Sequence, residues 1–224
     1  MIKFHPSPEQ LTQFAEGTLS SVESIMVSAH CDMCERCQKM VIAETERLAE
    51  DVLDSQKAEH HYEFDSMMAG ITQLPAAESI TVSSAPKREH VIELDGKKFP
   101  LPRTLQRLAD KTGNWSSLVG RLWQAPVDLG NQGVANFIYM EKGGSVPEHT
   151  HRGTEFTLVI NGEFSDGINA YDSGDFIYMD GEKTHAPRSD APEGCLVFSI
   201  VDQPLHFTSG LARLLNPFSH LFFR

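Results

Sequence analysis

Two sets of residues in this chain have both the chemistry and the spacing of metal ligands. The first lies in GGSVPEHTHRGTEFTLVING, from Gly143 to Gly162, where His149 and His151 alternate and Glu155 follows. Val146 to Thr150 and Glu155 to Ile160 read as two short strands with a turn between them, and residues two apart on a strand face the same way. His149 and His151 therefore aim two imidazoles at one point, and Glu155 on the returning strand brings a carboxylate to meet them. His185, in GEKTHAP, is the fourth candidate, beyond a glycine turn at Gly174 and the strand-like run DFIYM. Three imidazoles and one carboxylate suit zinc, iron, manganese or nickel, so ligand type leaves the metal open, with zinc placed first. A solitary H-x-H is ordinarily a pair of surface histidines. Glu155, the spaced glycines and His185 together turn the reading to a divalent-metal site.

The second set is an H-x3-C-x2-C pattern made by His30, Cys34 and Cys37. On a continuous helix these offsets place all three within about 60° of one face, whereas a break between them would make the C-x-x-C a knuckle. Either geometry converges three ligands on one ion. Cys31 falls about 100° from His30 in the helical case and is set aside as a bystander. A closed tetrahedral zinc site needs a fourth ligand, and His5 is the one histidine upstream of His30. Spacing alone leaves His5 balanced between ligand and exposed terminal residue.

The elements that must carry these residues differ in kind along the chain. Ser7-Pro8-Glu9-Gln10 is a capping box with proline at the first helical position, and Gly17 closes the helix that carries Leu11, Phe14 and Ala15. Ser20 to Glu23 is a second capping box, opening a helix with Val22, Ile25, Met26 and Ala29 on its buried side. Asp32-Met33-Cys34-Glu35 resembles a third, which predicts a sharp turn near Cys31 and Asp32. A long helix follows through Val41, Ile42, Thr45, Leu48, Ala49 and Val52. Ala58 to Met68 reads as a further short helix whose Tyr62, Phe64, Met67 and Met68 offer an apolar surface, more usually core than partner-facing in a small bundle. Pro75 to Pro86, PAAESITVSSAP, is small, polar and unpatterned, and reads as a connection. Beyond it HVIELDGKKF alternates around an Asp-Gly turn, the signature of a hairpin. LPRTLQRLADKTG reads as one helix ending at Gly113, Trp115 and Trp123 as packing residues, and LVFSIV as a last central strand. Cys195 reads as a small buried hydrophobe. The tail holds Phe218, Leu221, Phe222 and Phe223 and needs a cover that the sequence does not identify.

Length and charge bound the rest. A chain of 224 residues exceeds the commonest single-domain size. It divides into an all-α, zinc-binding N-terminal bundle at residues 1–80, a linker at 81–87 and an all-β unit at 88–224. The net charge of −12, from 31 acidic and 19 basic residues, argues against direct nucleic-acid binding, whose phosphate contacts need a basic face. The opening MIKFHPSPEQ lacks an apolar signal core, and no run approaches a membrane span, which points to the cytoplasm and to no membrane partner. In a reducing compartment, Cys31, Cys34 and Cys37 within one short segment mean metal ligation or redox chemistry rather than a structural disulfide.

His149, His151, Glu155 and Gly162 fall on the first motif of the cupin superfamily, G-x5-H-x-H-x3-E-x6-G, without departure. The second motif is poorer: Gly174 and His185 stand in place, but Asp180, Glu182 and Ser189 replace its usual proline, glycine and asparagine. The resemblance implies an antiparallel β-barrel over roughly Lys87 to Val201 with a metal in its mouth, and no particular reaction. His5, His30, Cys34 and Cys37 fall one by one on the pattern of the zinc-binding anti-sigma domain, which lifts His5 above its balance. A zinc anti-sigma domain followed by a cupin is the layout of the ChrR family of anti-sigma factors, which this chain resembles from end to end. The resemblance implies a regulatory protein, not an enzyme. Its helices would sequester an extracytoplasmic-function sigma factor, and its cupin would serve the response to singlet oxygen or related oxidants. A metal-dependent cupin dioxygenase, isomerase or lyase with a helical attachment is the competing class, a zinc-stabilised adaptor a third. Homo-oligomerisation is left open.

Overall fold

The computed structural model describes residues 1–55, 64–75, 91–118, 121–130, 134–151, 153–181, 184–203, 205–208, 210, 213–214 and 216. Most of the Pro75–Pro86 connection and the Phe218–Phe223 tail lie outside the described residues. The N-terminal part is helical: α1 (Pro8–Glu16), α2 (Ser21–Met33), α3 (Glu35–Ser55) and α4 (Phe64–Thr72). Of the three expected caps, those at Ser7 and Ser20 form, the first as a complete capping box. Ser7 accepts from the Gln10 amide while the Gln10 side chain accepts from the Ser7 amide, and Ser20 accepts from the Glu23 amide. Met26, Val27, Ala29 and His30 are buried on α2, with Val22 and Ile25 packed beside them.

The break between α2 and α3 falls at Cys34, not near Cys31 and Asp32. The Asp32 carboxylate is engaged elsewhere, accepting from the Thr104 amide at 2.6 Å and the Thr104 hydroxyl at 2.7 Å, so it does not open α3. Cys34 takes an extended conformation (φ −118°, ψ 98°) after its amide closes the last bond of α2 to His30. On α3 the expected apolar stripe exists but is mostly uncovered: Val41 and Leu48 are half-buried, while Ile42, Thr45, Ala49 and Val52 are exposed. The helix expected over Ala58–Met68 is observed as α4, with residues 58–63 outside the described residues. Its Phe64, Met67, Met68 and Ile71 are exposed, so this face is not core.

The C-terminal part is antiparallel β. β1 (Val91–Leu94) and β2 (Lys97–Pro100) form the expected hairpin, with Asp95 and Gly96 both at positive φ in its turn. The segment expected as one helix to Gly113 divides into α5 (Arg103–Gln106) and a 3-10 turn (Ala109–Lys111). The Gly113 amide donates to Pro126 and the Asp128 amide to Lys111, which draws the chain end onto the sheet. There follow β3 (Ser116–Leu118), β4 (Leu122–Val127), β5 (Val134–Met140), β6 (Gly144–Ser145), β7 (His149–Thr150) and β8 (Glu155–Ser165). Then come β9 (Ala170–Asp172), β10 (Phe176–Met179), β11 (Thr184–His185), β12 (Arg188–Ser189), β13 (Cys195–Val201) and β14 (His206–Phe207).

The main sheet runs β3-β4-β5-β13-β8-β12-β6, with β9 and β10 also paired to β8, and β11-β7-β14 form a second small sheet. β13 is central as expected, and Cys195 on it is fully buried. The strand expected over Val146–Thr150 is shorter, because the Val146 amide turns aside to Pro187. Trp115 and Trp123 pack on the core and donate their indole N–H groups to Glu93 and Glu141, at 2.9 and 2.7 Å.

The helices do not stand apart from the barrel. Leu11, Met26, Val27 and Ala29 share one buried cluster with Leu105, Phe156 and Phe176. Ahead of α1, the first residues run along the start of β10, where the Phe176 amide donates to the Phe4 carbonyl at 3.0 Å.

Candidate metal centres

At the N-terminal group the helix break does the positioning. His30 lies in the last turn of α2, Cys34 at the break and Cys37 in the first turn of α3, so the chain folds round one point as a knuckle. His5 arrives from the strap before α1. Its Nδ1 lies 3.3 Å from Nε2 of His30, 3.5 Å from Sγ of Cys34 and 3.4 Å from Sγ of Cys37. A tetrahedron with bonds of about 2.0 Å to nitrogen and about 2.3 Å to sulfur has edges of roughly 3.3–3.8 Å. The observed spacings match those edges, so the residues fit a four-coordinate ion. Cys31 stands outside the group.

The electrostatics point the same way. Burial holds the His30 imidazole down at about 4, opposed in part by its bond to the Gly174 carbonyl, so the ring is neutral and available as a ligand near neutral pH. Burial, and next the neighbouring Cys34, push the Cys37 thiol up to about 12. A thiol held that high gives up its proton at neutral pH only to a cation.

In the barrel, His149 and His185 are directly paired across β7 and β11, while His151 follows β7 and Glu155 opens β8. Nε2 of His151 lies 2.9 Å from Nε2 of His185 and 2.8 Å from Oε2 of Glu155, with His185 Nε2 at 3.7 Å from the same oxygen. His149 Nδ1 donates to the Pro147 carbonyl at 2.8 Å, which leaves its Nε2 for the centre. The hydroxyls of Thr157 and Ser199 both donate to Oε1 of Glu155 at 3.0 Å, so Oε2 is left for an ion. All four ligand atoms lie within 4.8 Å of one another.

Burial, reinforced by the neighbouring His185, holds His149 down at about 4, and burial also lowers His185. Burial alone would raise the Glu155 carboxyl, but the hydrogen bond from His151 and the surrounding imidazoles outweigh it and hold the group well below the usual carboxylate range. Beside the group lies a cavity of about 70 Å³, walled by apolar side chains that include Ile138, Met140, Phe164 and Val197. A metal held here would face a small apolar chamber, whereas one in the N-terminal group would be enclosed by its ligands.

Every residue expected at a site is thus in one of the two groups: His5, His30, Cys34 and Cys37, or His149, His151, Glu155 and His185. Sequence reasoning missed the groups that orient them. Thr157 was within reach, because it lies two residues from Glu155 on the same strand face. Ser199 and the Gly174 carbonyl meet their partners only through the folded sheet.

A relative from Cereibacter sphaeroides, described as anti-sigma-E factor ChrR, is 30% identical over 224 aligned residues, covering 97% of this chain and 98% of its own. This chain belongs to the ChrR family of anti-sigma factors. The family model described as the ChrR cupin-like domain matches residues 109–203. The crystal structure of Rhodobacter sphaeroides SigE in complex with the anti-sigma ChrR matches with a TM-score of 0.64 at 26% identity, over 90% of this chain and 100% of the matched one. An RmlC-like cupin from Ralstonia eutropha matches with a TM-score of 0.39 at 18% identity, over 45% of this chain and 69% of that one. No helix among the described residues is long and apolar enough to cross a membrane.

Proposed function

We propose that this chain is a cytoplasmic anti-sigma factor: its helices sequester an extracytoplasmic-function sigma factor, and its barrel governs release under an oxidative signal such as singlet oxygen. The observation that carries the reading is the uncovered apolar surface of α3 and α4. Ile42, Val52 and Leu53 on α3, and Phe64, Met67, Met68 and Ile71 on α4, are all exposed, several by more than half of their area (Leu53 70%, Phe64 59%). In a chain of net charge −12, so large an apolar surface on two helices is a docking surface for a protein partner. The related ChrR is seen in complex with SigE.

In this reading residues 1–80 inhibit, 81–87 link, and 88–224 sense. Zinc held by His5, His30, Cys34 and Cys37 supplies folding free energy to a helical unit with few core residues. The barrel site, built from His149, His151, Glu155 and His185, holds a second divalent metal, zinc or a redox-active ion, open to the apolar chamber. An enzymatic reading is supported by the cavity alone and is not needed for regulation.

The test is co-expression with the group IV sigma factors of the host. A stable complex with one of them, unable to bind RNA polymerase core, is expected. Failure to bind any, with both metal sites loaded, would exclude the anti-sigma role.

A further inference from the structure

The N-terminal ligand group is held from the barrel as well as from its own helices. Nδ1 of His30 is bonded to the Gly174 carbonyl at 2.8 Å, across 144 residues of sequence, and both groups are buried. A ligand imidazole whose second nitrogen is committed in this way has its tautomer and ring orientation fixed, leaving Nε2 for the metal. His5 is held from the same corner. The amides of Lys3 and Phe4, immediately before it, both donate to Oδ1 of Asp175, at 2.6 and 3.0 Å, and Oδ2 of Asp175 accepts from Asp172 at 2.8 Å.

The corner itself is clamped to β8: the Gly174 amide donates to Val159 at 2.8 Å, and the Val159 amide donates to Asp175 at 3.1 Å. Val159 lies four residues along β8 from Glu155, about 13 Å of extended strand. Gly174 has φ 92°, and a side chain there would run into Ile2, so glycine serves the strap as well as the turn.

We infer that the barrel corner Gly174–Asp175 is the outer shell of the N-terminal metal site, so that retention of that metal depends on the strap and corner staying joined. The inference rests on the reading that His5, His30, Cys34 and Cys37 bind zinc. The corner places His5 and orients the ring of His30, while the helix break places Cys34 and Cys37. Moving the corner shifts one pair against the other and opens the tetrahedron. A metal centre in the helices is thereby mechanically continuous with the strand that carries Glu155.

The test uses the full chain in a His149→Ala/Glu155→Ala background, which leaves one metal site, and follows zinc transfer to a chromophoric chelator at neutral pH. Lys3→Pro removes one of the amides bonded to Asp175, together with the Lys3 side chain, without changing a ligand or a barrel residue, and Asp175→Asn weakens the corner. Lys3→Ala keeps the amide and removes only the side-chain contacts of Lys3 to the Ala170 carbonyl and the Asp172 carboxylate, a loss that Lys3→Pro shares. Release is expected to be faster by about 10-fold or more for Lys3→Pro and Asp175→Asn, the effect usual for an outer-shell partner, and clearly less accelerated for Lys3→Ala, which keeps both amide bonds to Asp175. Hydrogen exchange at residues 3–5 verifies that the strap has opened. An open strap with unchanged release would overturn the inference, as would equal acceleration by Lys3→Ala. Should Asp175→Asn fail to fold, Lys3→Pro decides alone. Failure of the zinc reading itself is distinguishable, because the background protein would then carry no zinc before any change at the strap.

Discussion

Cys34 and Cys37 show what a single residue carries in this fold. Each is buried at the point where α2 and α3 meet, and each has its sulfur within 3.5 Å of Nδ1 of His5. Cys34→Ser or Cys37→Ser is expected to lower zinc content by about one ion per chain and to remove most of the stability of the helices, since a closed zinc site contributes folding free energy of about 10 kcal/mol in small zinc domains. Metal analysis and a melting curve check this; full zinc and an unchanged melt in both variants would contradict the assignment. The buried imidazoles make a second prediction, for the metal-free chain. His30 and His149 titrate near 4 in the folded state, against about 6.5 when unfolded. Between those values the unfolded chain binds more protons, so stability rises with pH through that window and is lost as pH falls. Going from pH 7 to 5 should cost about 2 kcal/mol per imidazole. Melting in excess chelator at the two pH values measures it, and a pH-independent melt would show that these rings are not buried neutral.

The elements show how far periodicity reaches and where it stops. The capping box at Ser7 and the cap at Ser20 were legible because their hydrogen bonds are local, closing within three residues. The break at Cys34 was misplaced toward Asp32 because the Asp32 carboxylate bonds Thr104, 72 residues away, and local pattern cannot register so remote a competitor. The stripe on α3 was legible as a stripe, yet not as an open one: periodicity reports that a helix is two-faced, not what covers the apolar face. That open face yields the third prediction. Ile42→Asp or Leu53→Asp should weaken binding of the sigma factor by ~30-fold or more, as loss of an interface anchor worth about 2 kcal/mol requires. Both positions are exposed, so the melting temperature and zinc content should hold. Calorimetric titration and a melt together separate the two effects, and unchanged affinity in both variants would move the docking surface elsewhere.

Across the whole molecule, the residues of both candidate sites were legible and their supports were not. Strand alternation and helix spacing bring His149 to His151 and Cys34 to Cys37 within a few residues. By contrast Ser199 reaches Glu155 across 44 residues, and Gly174 reaches His30 across 144. Those contacts exist only once β8, β10 and β13 have assembled, and they make the helices and barrel one mechanical body rather than two beads on a linker. On this account the helical surface binds the sigma factor and the barrel decides when it leaves. A signal can do this only by interacting differently with the bound and released states. The direct measurement is sigma release from purified complexes, by wild type and by His149→Ala/Glu155→Ala, on exposure to singlet oxygen. Equal affinity for the sigma factor beforehand is expected, followed by release from the wild type and retention by the variant. Normal release from the variant would contradict the account and place the sensor outside the barrel site.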